Sequence, residues 1–228
     1  MQKKIEAFLN LCKIFNANGY NLYLVGGTVR DFLLKQQITD LDVASDATPS
    51  DIKSFFNGDA NYRFEAYGAV NIKFQGFKFE LTTFRKERSY LDFRHPGKIK
   101  FVKSTKVDYK RRDFTINAMY LDNKFKLIDH VHGREDLDKK IIKMIGNPSK
   151  RIKEDPLRIL RAIRFALTLS FSIDESLKKA IKKKVKLLSK LNPEKIKQEL
   201  RKIPECDENV KISLFNEFGI LYLLDMVK

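Results

Sequence analysis

The hydrophobic positions fall first into helical spacing and then into strand-like spacing. Over residues 1–18, Ile5, Phe8, Leu9 and Cys12 repeat at i, i+3, i+4 and i+7, the stripe of an amphipathic helix. Asn18-Gly19 ends it. Residues 21–25 are a short apolar run that suits a buried strand. Gly26-Gly27 breaks that run and permits a tight turn. Val29, Phe32 and Leu33 then share one face of a second helix. A second strand follows, where Asp40 and Asp42 alternate with Leu41 and Val43, so the two carboxylates point to one side and the two apolar side chains to the other. Thr48-Pro49 has the form of an N-cap followed by proline at the first helical position, opening a helix through Phe55. Ala69–Phe74 and Phe77–Thr83 read as strands joined by a turn at Gln75-Gly76. Residues 118–121 and 125–128 form another such pair around Asp122-Asn123. Residues 85–98, polar, charged and carrying Pro96-Gly97, read as a long mobile loop.

The period changes in the last third. Residues 154–166 (EDPLRILRAIRFA) place Leu157, Leu160 and Ile163 on one helix face. Asp155, Arg158, Arg161 and Arg164 recur every third residue, and at 3.6 residues per turn that stripe drifts by about 60° per step. Asp155 and Arg158 are therefore neighbours, whereas Arg164 has swung away. Asp155-Pro156 also suits a helix cap and first turn. Beyond Leu169 the pattern is helical and basic: residues 174–188 include Lys182-Lys183-Lys184, and Asn192-Pro193 caps a helix carrying Glu194, Lys195, Ile196, Glu199 and Leu200. A final apolar helix over 210–227 is broken by Gly219. These patterns predict an α+β chain divided near 145, with a mixed sheet and flanking helices over 1–145 and an all-helical part over 146–228.

Composition adds a partner. The 228 residues carry 45 Lys and Arg against 29 Asp and Glu, a net charge of +16. Such a surplus favours a polyanion, nucleic acid first, although abundant Lys, Ile and Phe with no Trp also fit an AT-rich coding background. Cys12 and Cys206 lie far apart and make no C-x-x-C, so both read as thiols of a reducing cytosol. His95, His130 and His132 have no Cys or His cluster around them, which argues against zinc. With no signal peptide and no apolar run of transmembrane length, the expectation is a cytoplasmic protein with no membrane partner.

The candidate chemistry sits in residues 22–44, LYLVGGTVRDFLLKQQITDLDVA. Amide groups at the helix start after Gly26-Gly27 suit a phosphate. Asp40 and Asp42, about 6–7 Å apart along one side of a strand, suit a pair of Mg²⁺ ions. Together these equip an in-line attack on a nucleoside triphosphate. A glycine turn or a D-x-D alone is usually structural; their order and proximity carry the reading. Glu80, on a later strand, is either a third carboxylate near the metals or a salt-bridged surface residue. Farther on, Arg111 and Arg112 are adjacent guanidiniums able to clamp phosphate oxygens. Asp113 or Asn117 can hydrogen-bond ribose hydroxyls; alternatively, Asp113 pairs with an arginine and orders the turn.

GGTVRD followed by DLD resembles the signature of the class II tRNA nucleotidyltransferases and bacterial poly(A) polymerases, members of the DNA polymerase β superfamily. Four further stretches are similar in the same order: residues 111–118 (RRDFTINA), 129–137 (DHVHGREDL), 154–166, and the helix after Asn192, where Lys195 replaces the family's usual arginine. The resemblance implies a polymerase β-like nucleotidyltransferase head followed by an all-helical neck. It also implies template-independent addition of CCA, from CTP, CTP and ATP, to the 3′ acceptor end of tRNA. Asp40 and Asp42 would hold two Mg²⁺ ions, one activating the RNA 3′ hydroxyl and one stabilising the leaving pyrophosphate. Gly26, Gly27 and Arg30 would hold the triphosphate, with Arg111, Arg112, Asp113 and Asn117 completing that side. Glu154, Asp155 and Arg158 would serve the base, Asp155 and Arg158 reading C or A, while Arg161 and Arg164 meet phosphate or brace the motif. Residues 129–137 would couple head to neck, with Asp129 structural.

Thr83-Phe84-Arg85, Tyr90, Asp92 and Arg94-His95-Pro96 match the loop needed for the final A, which is shortened in CC-only enzymes and not here. Pro156 departs from the EDA common in CCA-adding members; EDP is common in A-adding enzymes and poly(A) polymerases. Asn117-Ala118-Met119 is closer to the tRNA enzymes. Addition of CC only, A only or poly(A) therefore stays open. So does an RNA-binding module without catalysis, against which intact Asp40, Asp42, Arg112 and Asp155 argue. Family members usually continue into helical body and tail domains that grip the tRNA; the five motifs here belong to head and neck.

Overall fold

The structure is a computed structural model that describes residues 2–90 and 96–227. It divides into two compact units, one built of Met1–Arg88, Lys98–Arg112 and Ile116–Arg134, the other of the described residues within Ser89–Gly97 together with Asp113–Thr115 and Glu135–Lys228.

In the first unit, helix α1 (Gln2–Ala17) buries Ala7, Phe8, Leu11, Cys12 and Phe15. The buried stripe is rotated from the expected one, leaving Ile5 and Leu9 half-buried, because Phe15 extends the i, i+3, i+4, i+7 series that starts at Phe8. Strand β1 (Leu22–Val25) leads directly into α2 (Gly26–Leu33), and β2 (Leu41–Ser45) follows. Helix α3 (Pro49–Phe55) starts as its sequence dictates. The Thr48 hydroxyl accepts from the Asp51 amide, and the Asp51 carboxylate accepts from the Thr48 amide, a reciprocal cap worth about 1 kcal/mol. Strands β3 (Asp59–Asn61), β4 (Ala69–Phe74) and β5 (Phe77–Thr83) come next, with Gln75 and Gly76 both at positive φ in the β4–β5 turn.

After β6 (Arg85–Tyr90), β7 (Pro96–Phe101) and the short helix α4 (Thr105–Asp108), strands β8 (Tyr120–Leu121) and β9 (Leu127–Ile128) finish the sheet. Its seven strands run β3-β4-β5-β2-β1-β8-β9. Strand β2 is the middle one, antiparallel to β1 and parallel to β5, with Asp42 registered on Glu80. Leu24, Val43, Ile72, Phe79 and Leu81 are buried around it.

Residues 85–98 are not the continuous loop their polarity suggests. Strands β6 and β7 pair as a separate two-stranded ladder. In β6 the run Arg85-Lys86-Glu87-Arg88 puts charge on both faces and hides the period-2 signal, whereas in β7 Lys98 and Lys100 alternate with Ile99 and Phe101. Arg85 binds Glu87 through its Nε at 2.7 Å and the Tyr67 carbonyl through Nη1. Residues 91–95, with Asp92, Arg94 and His95 of the expected loop, lie outside the described residues.

Helix α5 (Gly133–Asp138) follows a turn organised by Asp129, whose carboxylate accepts from the amides of Val131, Gly133 and Arg134. The second unit then carries β10 (Ile141–Ile142), α6 (Pro148–Glu154), α7 (Leu157–Leu169), β11 (Ser172–Ile173), α8 (Glu175–Lys184), α9 (Pro193–Leu200) and α10 (Glu208–Glu217). From Glu135 onward it is mainly helical, with the two-residue parallel pair β10–β11 and an antiparallel bridge between Phe114 and Met144. Helix α7 is its axis, packed against α6, α9 and α10 and burying Ile159, Leu160, Ile163 and Phe165. Phe114 meets Phe165 edge-on at 5.7 Å. Asn192 caps α9 by accepting from the Glu194 amide. Beyond α10, Gly219 at positive φ turns the chain into a 3₁₀ segment, Leu221–Val227.

Candidate active site

The first unit assembles its site where β1 turns into α2 above β2. Gly26 has φ +66°, and a Cβ there would lie 2.9 Å from Asp42 Oδ2. Any side chain at this position would collide with the carboxylate as well as strain the backbone. The Gly27 amide donates to the same oxygen at 3.2 Å. Thr28 closes the arrangement: its hydroxyl accepts from the Asp42 amide at 2.8 Å and donates to the Asp40 carbonyl at 3.0 Å. That clamp explains why β2 begins at Leu41 and leaves Asp40 just ahead of the strand, exposed, while Asp42 is half-buried. Thr28 was quoted in the motif without a role; a hydroxyl directly after the two glycines is the signal for it.

Burial first, then the charges of Glu80 and Asp40, push the Asp42 carboxyl up to about 6, against the Gly27 amide and the Arg112 charge. Among the described residues no ion pair involves Asp40 or Asp42. Glu80 reaches Lys78 at 3.0 Å and is more than half exposed. Among the described residues no three His, Cys, Asp or Glu side chains gather closely enough to hold a metal on their own. Two carboxylates, one raised by its neighbours, fit a divalent cation that keeps waters and takes its remaining ligands from substrate phosphates.

The other expected residues of this unit are held by partners. Arg30 is buried; its Nε and Nη2 engage Asp31 at 2.8 and 3.0 Å, and its Nη1 donates to Asn117 Oδ1 at 3.0 Å. The residues expected to meet triphosphate and ribose are thus bonded to each other. Arg111 and Arg112 both bind Asp108, through Nε atoms at 2.7 and 3.2 Å. Asp108 escaped the sequence reading, although an acid three and four residues before two arginines on helical turns is a legible pairing signal.

In the second unit the helix expected over 154–166 is interrupted: α6 ends at Glu154, and α7 begins at Leu157. Pro156 keeps the residue before it out of helical geometry, and Asp155 sits at φ −148°, its Oδ1 accepting from the Leu157 amide at 3.0 Å. Arg158 turns back, its Nη1 donating to the Arg151 carbonyl at 2.7 Å and lying 3.4 Å from Glu154 Oε2. Arg161 grips Asp113 through Nε at 2.7 Å. Burial would raise the Asp113 carboxyl, but the Arg161 charge and hydrogen bonds, the Phe114 amide and Arg158 hold it below the usual carboxylate range. Arg164 binds buried Glu199 at 2.6 Å and stacks its guanidinium 4.2 Å from the Phe165 ring centroid. Arg161 and Arg164 are thus each paired with a carboxylate of this unit, Asp113 and Glu199.

The comparisons agree with this architecture. The family model described as the poly A polymerase head domain matches residues 22–143, more than half of the chain. The CCA-adding enzyme of Limosilactobacillus reuteri (strain DSM 20016) is 47% identical over 185 residues, covering 81% of this chain and 46% of that protein. That of Geobacillus sp. (strain WCH70) is 38% identical over 229 residues, covering 100% of this chain and 56% of that protein. The chain spans about half the length of the curated relatives it matches. The crystal structure of the Bacillus stearothermophilus CCA-adding enzyme in complex with CTP superposes with a TM-score of 0.86 at 33% identity, covering 94% of this chain and 52% of that one. A tRNA nucleotidyltransferase complexed with a primer tRNA and an incoming ATP analog superposes with a TM-score of 0.75 at 29% identity, covering 95% and 62%. Nucleotidyltransferases of this family use divalent metals. With the head-domain model spanning the sheet and its carboxylates, the chain belongs to the poly A polymerase head-domain family, that of the class II tRNA nucleotidyltransferases and bacterial poly(A) polymerases.

Proposed function

We propose that this chain is the catalytic part of a template-independent nucleotidyltransferase that adds CCA, from CTP, CTP and ATP, to the 3′ acceptor end of tRNA. The observation that carries the reading is Asp42, whose carboxyl is raised to about 6 against the Gly26-Gly27 backbone with Asp40 and Glu80 as like-charged neighbours. Asp40 and Asp42 would hold Mg²⁺, which when bound supplies a Lewis acid to the RNA 3′ hydroxyl and the leaving pyrophosphate. The backbone after Gly26 and the Arg30 guanidinium bind the triphosphate, with Arg111 and Arg112 adding charge. Asn117, whose Oδ1 accepts from Arg30, ties the ribose contact to the triphosphate contact. We take residues 1–145 as the head and 146–228 as the neck.

The neck selects the base. Cytosine and adenine both present an acceptor beside an amino donor, whereas uracil has a carbonyl in place of the amino group. A carboxylate from Asp155 accepts from the amino group while Arg158 donates to the ring nitrogen or carbonyl; Glu154 holds Arg158. Lysines over 178–190 meet acceptor-arm phosphates. Two free thiols, Cys12 and Cys206, support a cytosolic setting, and no helix among the described residues is long and apolar enough to cross a membrane.

Pro156 favours a second reading, addition of A alone or of poly(A). One assay separates the two. The protein is incubated with tRNA lacking its 3′ CCA, with CTP and ATP singly and together, and the products are sequenced. CTP alone should give CC, and both nucleotides CCA. Extension with ATP only, or long A tracts, would replace the CCA reading; no extension with any nucleotide would end it.

A further inference from the structure

We propose that Asp108, which lies outside every stretch that carried the family resemblance, is the positioning residue of the Arg111-Arg112 pair, holding both guanidiniums by their Nε–H groups to receive a nucleoside triphosphate. The proposal rests on the nucleotidyltransferase reading and adds to it a residue and a role.

Asp108 closes α4 and is fully buried. Its Oδ1 accepts from the Arg85 amide at 3.0 Å and from Arg111 Nε at 2.7 Å. Its Oδ2 accepts from Arg112 Nε at 3.2 Å and from the Tyr120 hydroxyl at 2.7 Å. Each oxygen thus serves two donors, which fills the carboxylate's acceptor sites. Burial would raise this carboxyl, but the Arg112 and Arg111 charges, the Tyr120 hydroxyl and the Arg85 amide outweigh it and hold it well below the usual carboxylate range.

A buried carboxylate saturated in this way fixes the planes of two guanidiniums, and a fixed plane is what bidentate recognition of phosphate oxygens requires. The clamp is registered to the glycine turn. Tyr120 pairs with Val25 in the sheet, and Gly26 follows directly. Arg112 also lies over the Tyr120 ring, 5.1 Å from its centroid, so the ring and the carboxylate restrain it from two sides.

The test compares wild type, Asp108→Asn, Arg112→Gln and the double variant. The readouts are KM and kcat for ATP addition to tRNA ending in CC, Kd for ATP in chelator, and melting temperature. Asparagine keeps the shape but turns an amide donor toward groups that are all donors. Charged hydrogen bonds of this kind correspond to roughly a ten- to hundredfold change. Asp108→Asn should therefore raise KM and Kd for ATP by about that factor, with kcat changed far less, the pattern of lost uniform binding. Because Asp108 acts through Arg111 and Arg112, the double variant should bind ATP less weakly than the product of the two single effects, the remainder being the part carried by Arg111, whereas independent effects would multiply.

Tyr120→Phe, which removes a donor from the same carboxylate and an acceptor from Arg112 Nε at 3.1 Å but leaves the Asp108 charge in place, should lower the melting temperature and raise Kd less than Asp108→Asn does. Should Asp108→Asn fail to fold, Arg112→Lys decides. It keeps the charge and lacks Nε–H, so it should lose ATP affinity as Arg112→Gln does. Wild-type affinity in a folded Asp108→Asn or in Arg112→Lys, or multiplicative effects in the double variant, would overturn this proposal alone. A wild type that neither binds ATP nor extends tRNA would overturn the nucleotidyltransferase reading and this proposal with it.

Discussion

Asp42 in the first unit and Asp113 in the second are both half-buried aspartates, and their carboxyls move in opposite directions. Burial pushes both upward. At Asp113 the protein supplies the cation itself: Arg161 lies 2.7 Å away, and the carboxyl falls below its ordinary range. At Asp42 the near neighbours are Asp40 and Glu80, and the carboxyl rises to about 6. The same residue type is neutralised by a cation in one unit and left among like charges in the other, and a carboxylate left so is a candidate for a functional site.

Substitution at Asp42 should show the largest effect. Asp42→Ala should lower nucleotide transfer by roughly a thousandfold or more, since a metal ligand supplies several kcal/mol of charge stabilisation to the transition state. The fold should not suffer. In chelator the variant should melt no lower than wild type, because a repelled, desolvated carboxylate has been removed. Mg²⁺ should raise the melting temperature of wild type only. Thermal melts with and without Mg²⁺ check this, and substantial activity in the variant would remove Asp42 from the metal site.

Asp113→Asn should do the reverse, costing stability before chemistry. Removing one partner of a buried pair costs about 3–5 kcal/mol, and the Arg161 side chain is 32% exposed, so solvent screening brings the expected loss to about 2–3 kcal/mol. The sign with pH follows from the depressed carboxyl. Its contribution is fully present above the unfolded value of about 3.9 and is lost as pH falls through the folded value. Denaturant midpoints of wild type and Asp113→Asn should therefore differ most near neutrality and converge in acid. Parallel curves from pH 7 to pH 3 would contradict the pairing.

Asp155 should give the smallest change and the sharpest one. A good paired contact discriminates bases by about 1–3 kcal/mol. Asp155→Ala should thus raise UTP or GTP incorporation relative to CTP by roughly 5- to 150-fold while transfer continues. A residue that only caps α7 would instead cost about 1 kcal/mol of stability and leave the C and A preference intact. Competition among all four nucleotides, with a melting curve on the same variant, distinguishes the two.

What could be read in advance follows how local the physics is. Thr48-Pro49 and Gln75-Gly76 announce a cap and a turn because the deciding groups are within three residues of each other. That Asp42 faces the glycine turn was legible because both signals are local, whereas Asp40, which the alternation assigned to the strand, lies just ahead of it. The Arg161–Asp113 bond joins residues 48 apart, and the Arg30–Asn117 bond residues 87 apart. Neither partner's own sequence neighbourhood names the other. Strand β6 was missed for another reason: Arg85-Lys86-Glu87-Arg88 puts charge on both faces and erases the alternation that marks a strand, and without it the alternation of Ile99 and Phe101 in β7 had no partner to pair with. Asp108 was missed although its partners are close by, because its helix has four residues and no apolar stripe to announce it.

The place of β2 in the sheet has a consequence for how the chain acquires its site. The strand that carries Asp42 has β3, β4 and β5 on one side and β1, β8 and β9 on the other. The hairpin-like partners within each flank are near in sequence and form early, on the microsecond scale of local pairing. The parallel β2–β5 ladder, in contrast, must close a loop through α3, β3 and β4 before it is rewarded. Asp42 therefore gains its Glu80 neighbour only when that slower ladder zips. Burial is the first cause of the raised carboxyl and the Glu80 charge the second, so the electrostatic setting of Asp42 is completed by a strand paired across a crossover as well as by the turn beside it.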